Sequence, residues 1–280
     1  MPGILYVVAT PIGNLEDITL RAIRVLREVA VIAAEDTRRT ARLLQHYSIS
    51  TPTTSLHEHN EHARTPSLIA RLEAGESVAL VSDAGTPVVS DPGVLLVAAA
   101  HAAGVRVEPV PGPSAAMAAV SAAGLQSAQV LFVGFPPSRS KARKDWLEAL
   151  RAEPRVIVFF EAPHRIRETL TDLQAIFGDR TVAIARELTK AHEELVVRPI
   201  SVHLEQLAEP RGEFTVVVAA AEIGGDVALE VPPLPDLLHE FGELTKCGCG
   251  TRREVVRSLA ERYGLSSRDM YRLLESGKPD

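Results

Sequence analysis

The chain predicts an α/β protein with helices laid over a largely parallel sheet. Three observations carry that expectation. Apolar, β-branched runs of strand length alternate with helical stretches almost without interruption, and polar or turn-forming residues collect where the strands end. A Val110-Pro111-Gly112-Pro113 break then separates two rounds of the same pattern. At 280 residues and 46% hydrophobic content, the chain can bury two cores and carry a small appendage.

The elements follow in order. Ile4–Val8 is a first strand; its flank has no basic region, so it reads as a buried strand and not as a signal peptide. Ile18, Ala22, Val25, Leu26 and Val29 mark a helix face, and 29–34 is a second strand running into Glu35-Asp36-Thr37-Arg38. A helix over 39–46, a polar stretch, a helix through Leu68, Ile69 and Leu72, and a strand from Val78 come next. That strand stops at Ser82-Asp83-Ala84-Gly85-Thr86-Pro87, and Asp91-Pro92-Gly93 opens a helix over 94–103, followed by a strand over 105–110. The proline-glycine break sets a first domain at 1–112 and a second at 113–222.

The second round has a helix over 114–122 with Ser114 as N-cap, a strand over 130–133, and a basic loop and helix over 138–150. Strands over 156–160 and 182–185 flank a helix over 164–176; strands over 194–197 and 214–219 and a short helix near Leu204 complete it. Residues 221–235, rich in glycine and proline, read as a linker to a helical segment within 236–280. There Thr251 and Glu254 form a capping box, Val255, Val256, Leu259 and Tyr263 share a face, Gly264 ends that helix, and Ser266 caps another carrying Met270, Leu273 and Leu274. Helix-turn-helix readers and plain helical hairpins share this outline.

Composition removes several functions. No stretch approaches the apolar length of a membrane span, so a cytoplasmic protein is expected. Cys247 and Cys249 lack the second ligand pair of a zinc site and lie too close for an unstrained disulfide. His57, His59 and His62 have no spacing that fixes ligand geometry. The net charge of −6 argues against bulk electrostatic attraction to nucleic acid, although residues 250–278 carry seven basic and four acidic side chains.

Ligands in parallel sheets sit at the carboxyl ends of strands. Those ends here are 10–14, 35–38, 82–87, 111–114, 134–137, 161–165 and 186–190. The 82–87 loop combines small residues, which admit a ligand against the backbone, with the hydrogen-bonding side chains of Asp83 and Thr86. Neither G-x-x-x-x-G-K-[ST] nor G-x-G-x-x-G is present, which favours a small ligand with polar handles and no phosphates.

Taken together, LYVVATPIGNLEDITLRA, AAEDTR, LVSDAGTP with its DPG, VPGPSAA, FFEAPHR, and ARELTK followed by GEF resemble the tetrapyrrole (corrin/porphyrin) methylase superfamily, in the branch acting on small-subunit ribosomal RNA. The likeness spans residues 4–220. Thr10-Pro11-Ile12-Gly13-Asn14 replaces the superfamily's more usual Gly-Pro-Gly-Asp loop, which favours the RNA branch over tetrapyrrole enzymes. The resemblance implies two α/β domains with S-adenosylmethionine in the cleft between them, methylation of a cytidine 2′-hydroxyl in the decoding region of 16S rRNA within the 30S subunit, and a homodimer. By motif position it carries cofactor contacts onto Pro11, Ile12, Ala84, Gly85, Thr86, Val89, Ser114, Ala115, Phe160, Glu161, Leu188 and Thr189. A tetrapyrrole-precursor methylase and a non-catalytic RNA-binding protein are the competing readings.

A ribose hydroxyl is a poor nucleophile at neutral pH, so a base or an alkoxide-stabilising cation is useful. Asp36, Glu161, Glu187 and Lys190 are the candidates. Each has a plainer role open to it: Asp36 and Glu161 as helix caps, Glu187 in an ion pair, Lys190 as a solvated cation. Substrate contacts are expected from Asn14, Arg38, Arg165 and the basic run Arg139, Lys141, Arg143 and Lys144, which equally fits a solvated helix face.

Overall fold

The structure, a computed structural model, describes residues 2–125, 129–207, 212–221, 231–246, 251–263 and 265–276. Its chain contacts group Met1–Ala221 and Glu222–Asp280 as two compact units.

In the first unit, β1 (Ile4–Val8), β2 (Val31–Ala34), β3 (Thr53–Ser55), β4 (Val78–Val81) and β5 (Arg106–Val110) form one sheet in the order β3-β2-β4-β1-β5. Every pairing is parallel. Both faces are covered, so β2 and β4 are buried along their whole length and read as continuous apolar runs, as parallel strands do. The covering helices are α1 (Leu20–Glu28), α2 (Thr37–His46), α3 (Glu61–Glu73) and α4 (Val94–Ala102). Thr19 caps α1 and Asp36 caps α2. The start of α4 follows Gly93, which has no capping side chain. Buried Glu61 of α3 takes that role, accepting from the Leu95 and Leu96 N–H groups at 2.7 and 3.3 Å.

The second sheet runs β6-β7-β10-β8-β9, with β6 (Val130–Phe132), β7 (Val156–Glu161), β8 (Thr181–Arg186), β9 (Glu194–Pro199) and β10 (Phe214–Val218). Here the expected parallel sheet gives way to a mixed one: only β6 and β7 pair in parallel, and β7-β10, β10-β8 and β8-β9 are antiparallel. The reason lies in the connections. Direct turns follow β8, whereas the alternation rule presumes a helical crossover after every strand. The helices here are α5 (Ala115–Ala123), α6 (Ser140–Leu150), α7 (Ile166–Phe177) and α8 (Ile200–Gln206). Ser114 caps α5, and its alanines let the helix lie close against β7, β10 and β8, with Ala116, Ala119 and Ala123 buried. On the other face Phe159, Ile166, Leu170 and Leu147 fill the core; full burial of each such side chain stabilises by about 1.5–3 kcal/mol.

The second unit contains α9 (Leu234–Lys246), α10 (Arg252–Arg262) and α11 (Ser267–Ser276). Three helices replace the expected two, because α9 begins inside the residues read as a linker: Pro235 sits in its first turn, where a missing N–H costs nothing. Leu237, Val255, Val256, Leu259, Tyr263, Met270 and Leu274 form its core. Glu254 and Thr251 make the capping box, and Ser266 accepts from the Asp269 N–H at 3.1 Å. Cys247, Cys249, Gly264 and Lys278 lie outside the described residues, as does most of the linker.

Candidate active site

The carboxyl ends of β1, β2, β4, β5, β7 and β8 and the start of β10 surround a cavity of about 370 Å³. Its walls come from loops fastened to one another. Thr10 and Gly85 exchange both backbone hydrogen bonds, at 2.8 and 3.0 Å, which lays the loop after β1 along the loop after β4. The Thr86 hydroxyl donates to the Pro113 carbonyl at 3.2 Å, joining the turn after β5. Asn14 N–H donates to Thr189 Oγ1 at 2.9 Å, and a methyl on Gly13 would meet Lys190 Cγ, Thr189 Oγ1 and the Leu188 carbonyl, so the β1 and β8 loops close tightly only with glycine there.

Ile12, Ala84, Gly85, Thr86, Val89, Ser114, Ala115, Phe160, Glu161 and Leu188, expected as cofactor contacts, all line this cavity. Pro11 and Thr189 do not; Thr189 braces the wall from behind. The apolar surface of Ile12, Val89, Phe160 and Leu188 faces a set of carboxylates, Glu35, Asp83, Asp91, Glu187 and Glu213, that outnumber the cations Arg39 and Lys190. Gly85, at φ +79°, keeps the backbone open beside Ile12. The first turn of α5 opens at the cavity, where Ser114 and Ala115 are in the wall and Ser114 Oγ accepts from the Met117 N–H at 3.5 Å.

The four candidate catalytic groups separate. Glu187 and Lys190 line the cavity and pair at 2.8 Å, with Glu213 3.6 Å from the lysine. The Lys190 hydrogen bond holds the Glu187 carboxyl below its usual range. Burial alone would lower Lys190, but Glu187 and Glu213 outweigh it and push the ammonium up, so it is a fixed cation. Glu161 is fully buried and spent structurally: Oε2 accepts from Thr169 Oγ1 at 2.6 Å, Oε1 from the Ala162 N–H at 2.8 Å, with Arg165 Nε at 3.2 Å. Asp36 lies outside the cavity, caps α2, and is held well below the carboxylate range by its hydrogen bonds with Arg38. Neither Glu161 nor Asp36 is placed to take a proton.

The expected substrate contacts divide similarly. Arg143 is a correction: it is 2% exposed and its Nε donates to Asp172 at 2.8 Å, because α6 turns it inward onto α7. Arg165 is another; its guanidinium donates to the Pro136 and Pro137 carbonyls at 2.6 and 3.2 Å and so fixes the loop carrying Phe135. Asn14 caps the turn after β1, its Oδ1 accepting from the Glu16 N–H at 3.0 Å. Arg38, Arg139, Lys141 and Lys144 are exposed. His57 hydrogen-bonds Asn60 and packs edge-on against His59, while His62 is exposed.

In the sequence Glu35 and Phe135 stand only as strand ends, Asp91 only in a helix-opening turn, Glu213 only within the GEF motif and Arg39 only at a helix start, and Ser90 carries no signal; all six line the cavity. Arg39 reaches Asp83 at 3.2 Å, and Phe135 packs against Phe160 with 5.4 Å between ring centres.

The family of tetrapyrrole (corrin/porphyrin) methylases matches residues 4–202 of this chain. The chain belongs to that family. Within it, "Ribosomal RNA small subunit methyltransferase I" of Synechocystis sp. is 46% identical over 97% of both chains, and the protein of that name from Pseudomonas aeruginosa is 51% identical over 78% of this chain and 79% of its own. The protein is therefore a methyltransferase of this group. A solved uroporphyrin-III C-methyltransferase from Thermus thermophilus, complexed with S-adenyl homocysteine, shares the fold at a TM-score of 0.57 and 19% identity, over 78% of this chain and 97% of its own. No described helix is long and apolar enough to cross a membrane.

Proposed function

We propose that the protein transfers a methyl group from S-adenosylmethionine to the 2′-hydroxyl of a cytidine in the decoding region of 16S rRNA. The observation that carries this reading is the cavity itself. Its excess of carboxylates and its apolar wall suit a ligand that carries a sulfonium and an ammonium beside an apolar ring system. The relatives named for small-subunit ribosomal RNA favour RNA over a tetrapyrrole as acceptor.

S-adenosylmethionine, when bound, supplies an electrophilic methyl carbon. The chain's task is then to hold the acceptor oxygen in line with it and to manage the hydroxyl proton. Ile12, Ala84, Gly85, Thr86, Val89, Ser114, Ala115, Phe160 and Leu188 hold the donor. Lys190, fixed by Glu187, offers positive charge where the acceptor oxygen becomes anionic. Arg38, Arg139, Lys141 and Lys144 meet RNA phosphates, joined in the second unit by the exposed Arg253, Arg268 and Arg272. We read 1–112 and 113–222 as the two domains of the cleft and a homodimer as the working form, which sedimentation checks.

The test incubates the purified protein with labelled S-adenosylmethionine and undermethylated 30S subunits, with naked 16S rRNA in parallel, and maps ribose methylation. Label at a single cytidine of the decoding region is the expected result. Donor binding with no label in rRNA sinks the reading, and label in a tetrapyrrole precursor replaces it. RNA retention indifferent to S-adenosylmethionine and to Thr86→Ala would make the protein a non-catalytic binder.

A further inference from the structure

The acceptor hydroxyl needs somewhere to send its proton, and the cavity has several carboxylates. Most are committed. Glu161 is enclosed by Thr169, Ala162 and Arg165; Glu187 pairs with Lys190 and accepts from the Glu213 N–H at 3.1 Å. Asp83 accepts from the Asp36 N–H at 3.0 Å and pairs with Arg39 at 3.2 Å. Glu35 accepts from the Asp83 N–H at 3.2 Å, and Glu213 is mostly solvent-exposed beside Lys190. Asp91 differs. It stands in the cavity wall where, among the described residues, no ion pair reaches it; the Ser82 hydroxyl, 3.4 Å from the Ala84 carbonyl, lies near enough to favour its charged form.

The backbone that delivers Asp91 is strained. Val88 has φ +73° and Ser90 φ +67°, both left-handed, and for a β-branched valine that region is sterically hostile. Such residues persist only where the surroundings force them, and they gather at working sites. The surroundings are visible here: a methyl on Gly93 would strike Leu80 and Val88, and one on Gly134 would press on Ser90 Oγ at 3.2 Å. The loop after β6 thus lies close over Ser90, and Val89, Ser90 and Asp91 all line the cavity.

We propose that Asp91 is the catalytic base of the methyl transfer, taking the proton of the acceptor hydroxyl. This rests on the methyl-transfer reading above. The hydroxyl proton passes to an Asp91 carboxylate oxygen, and the hydroxyl oxygen forms the new bond to the methyl carbon. The carbon–sulfur bond breaks with its electron pair left on sulfur, turning the sulfonium into a neutral thioether, and the Asp91 proton then leaves to solvent. Asp91 suits the role because burial, opposed by the Ser82 hydroxyl and reinforced by the negative charges of Glu35, Asp83 and Glu213, pushes its pKa up to about 6. The carboxylate is ionised at neutral pH and basic enough to accept a proton.

Three measurements test this on the full chain with 30S subunits: single-turnover transfer against pH, S-adenosylmethionine binding by calorimetry, and a 13C-carboxyl NMR titration. In the wild type the rate rises with pH through an inflection near 6, matched by a carboxyl resonance that Asp91→Asn removes. Asp91→Asn loses about 10²–10⁴-fold in rate along with that inflection, well beyond any fall in donor affinity from the loss of one cavity carboxylate. Ser82→Ala, which removes the donor that favours the ionised form, moves the inflection to higher pH. The proposal is overturned if Asp91→Asn keeps its rate or its inflection, if donor binding falls in proportion to the rate, or if Ser82→Ala leaves the profile in place. A wild-type protein that puts no label into rRNA defeats the underlying reading instead, and this proposal with it.

Discussion

Replacing Arg143 with methionine should destabilise the first unit while leaving methyl transfer per folded molecule unchanged. The arginine side chain is 3% exposed and lies 2.8 Å from Asp172, itself 11% exposed. Its second partner, Glu168, is 69% exposed at 3.4 Å and adds little. Removing one member of a buried pair strands the other, at a typical cost of about 3–5 kcal/mol. Lys144 stays 3.6 Å from Asp172, which puts the expected loss at the lower end, about 3 kcal/mol. For a unit of this size that is a fall in Tm of about 6–12 °C, measurable by calorimetry. Adding Asp172→Leu should recover most of the loss, because a buried pair replaced by apolar side chains is often neutral. An unchanged Tm together with weakened binding to 30S subunits would refute this reasoning and return Arg143 to the RNA surface.

Three further outcomes are expected. Asp36→Asn keeps the α2 cap, since asparagine caps as well as aspartate; a single-turnover rate lower by about 10²-fold or more would instead make Asp36 a base. Lys190→Met lowers the transfer rate by about 10²–10³-fold with donor binding retained, and Lys190→Arg restores part of it; equal rates for the methionine variant and wild type would remove Lys190 from the reaction. Gly212→Ala combines φ +82° with a methyl driven into the Glu187 side chain, costing about 1–3 kcal/mol and displacing the Glu187–Lys190 pair; chemical denaturation and transfer rate should fall together, and a neutral variant would show the loop yields.

Most strands and helices were legible because each has one dominant local signal; β3, three polar residues at the sheet edge, carries none and read as part of a polar stretch. β2 and β4 are uninterrupted apolar runs, and Thr19, Ser114 and Thr251 stand where helices begin. Strand pairing was less legible. Nothing in the Phe214–Val218 sequence states that it runs antiparallel between β7 and β8, since an apolar run has no direction. Charge was misread for a related reason: Arg139, Lys141, Arg143 and Lys144 look alike in sequence, and the helical phase of α6 alone turns the third inward toward Asp172.

The cavity shows the same division more sharply. The cavity wall of Ala84, Gly85 and Thr86 was legible because small residues after a strand carry a steric message, that the backbone there can be approached closely. The wall at Asp91 was not, because its local sequence argues for something else. Asp91-Pro92-Gly93 has the chemistry of a helix-opening turn, and Val88 has the chemistry of a strand, yet the fold holds Val88 left-handed and aims Asp91 inward. The turn is closely packed here: a methyl on Gly93 would meet Leu80 of β4 and Val88, and one on Gly134, in the loop after β6, would meet Ser90 Oγ. A turn held by contacts distant in sequence leaves its mark as a broken local rule, visible only once the backbone is known.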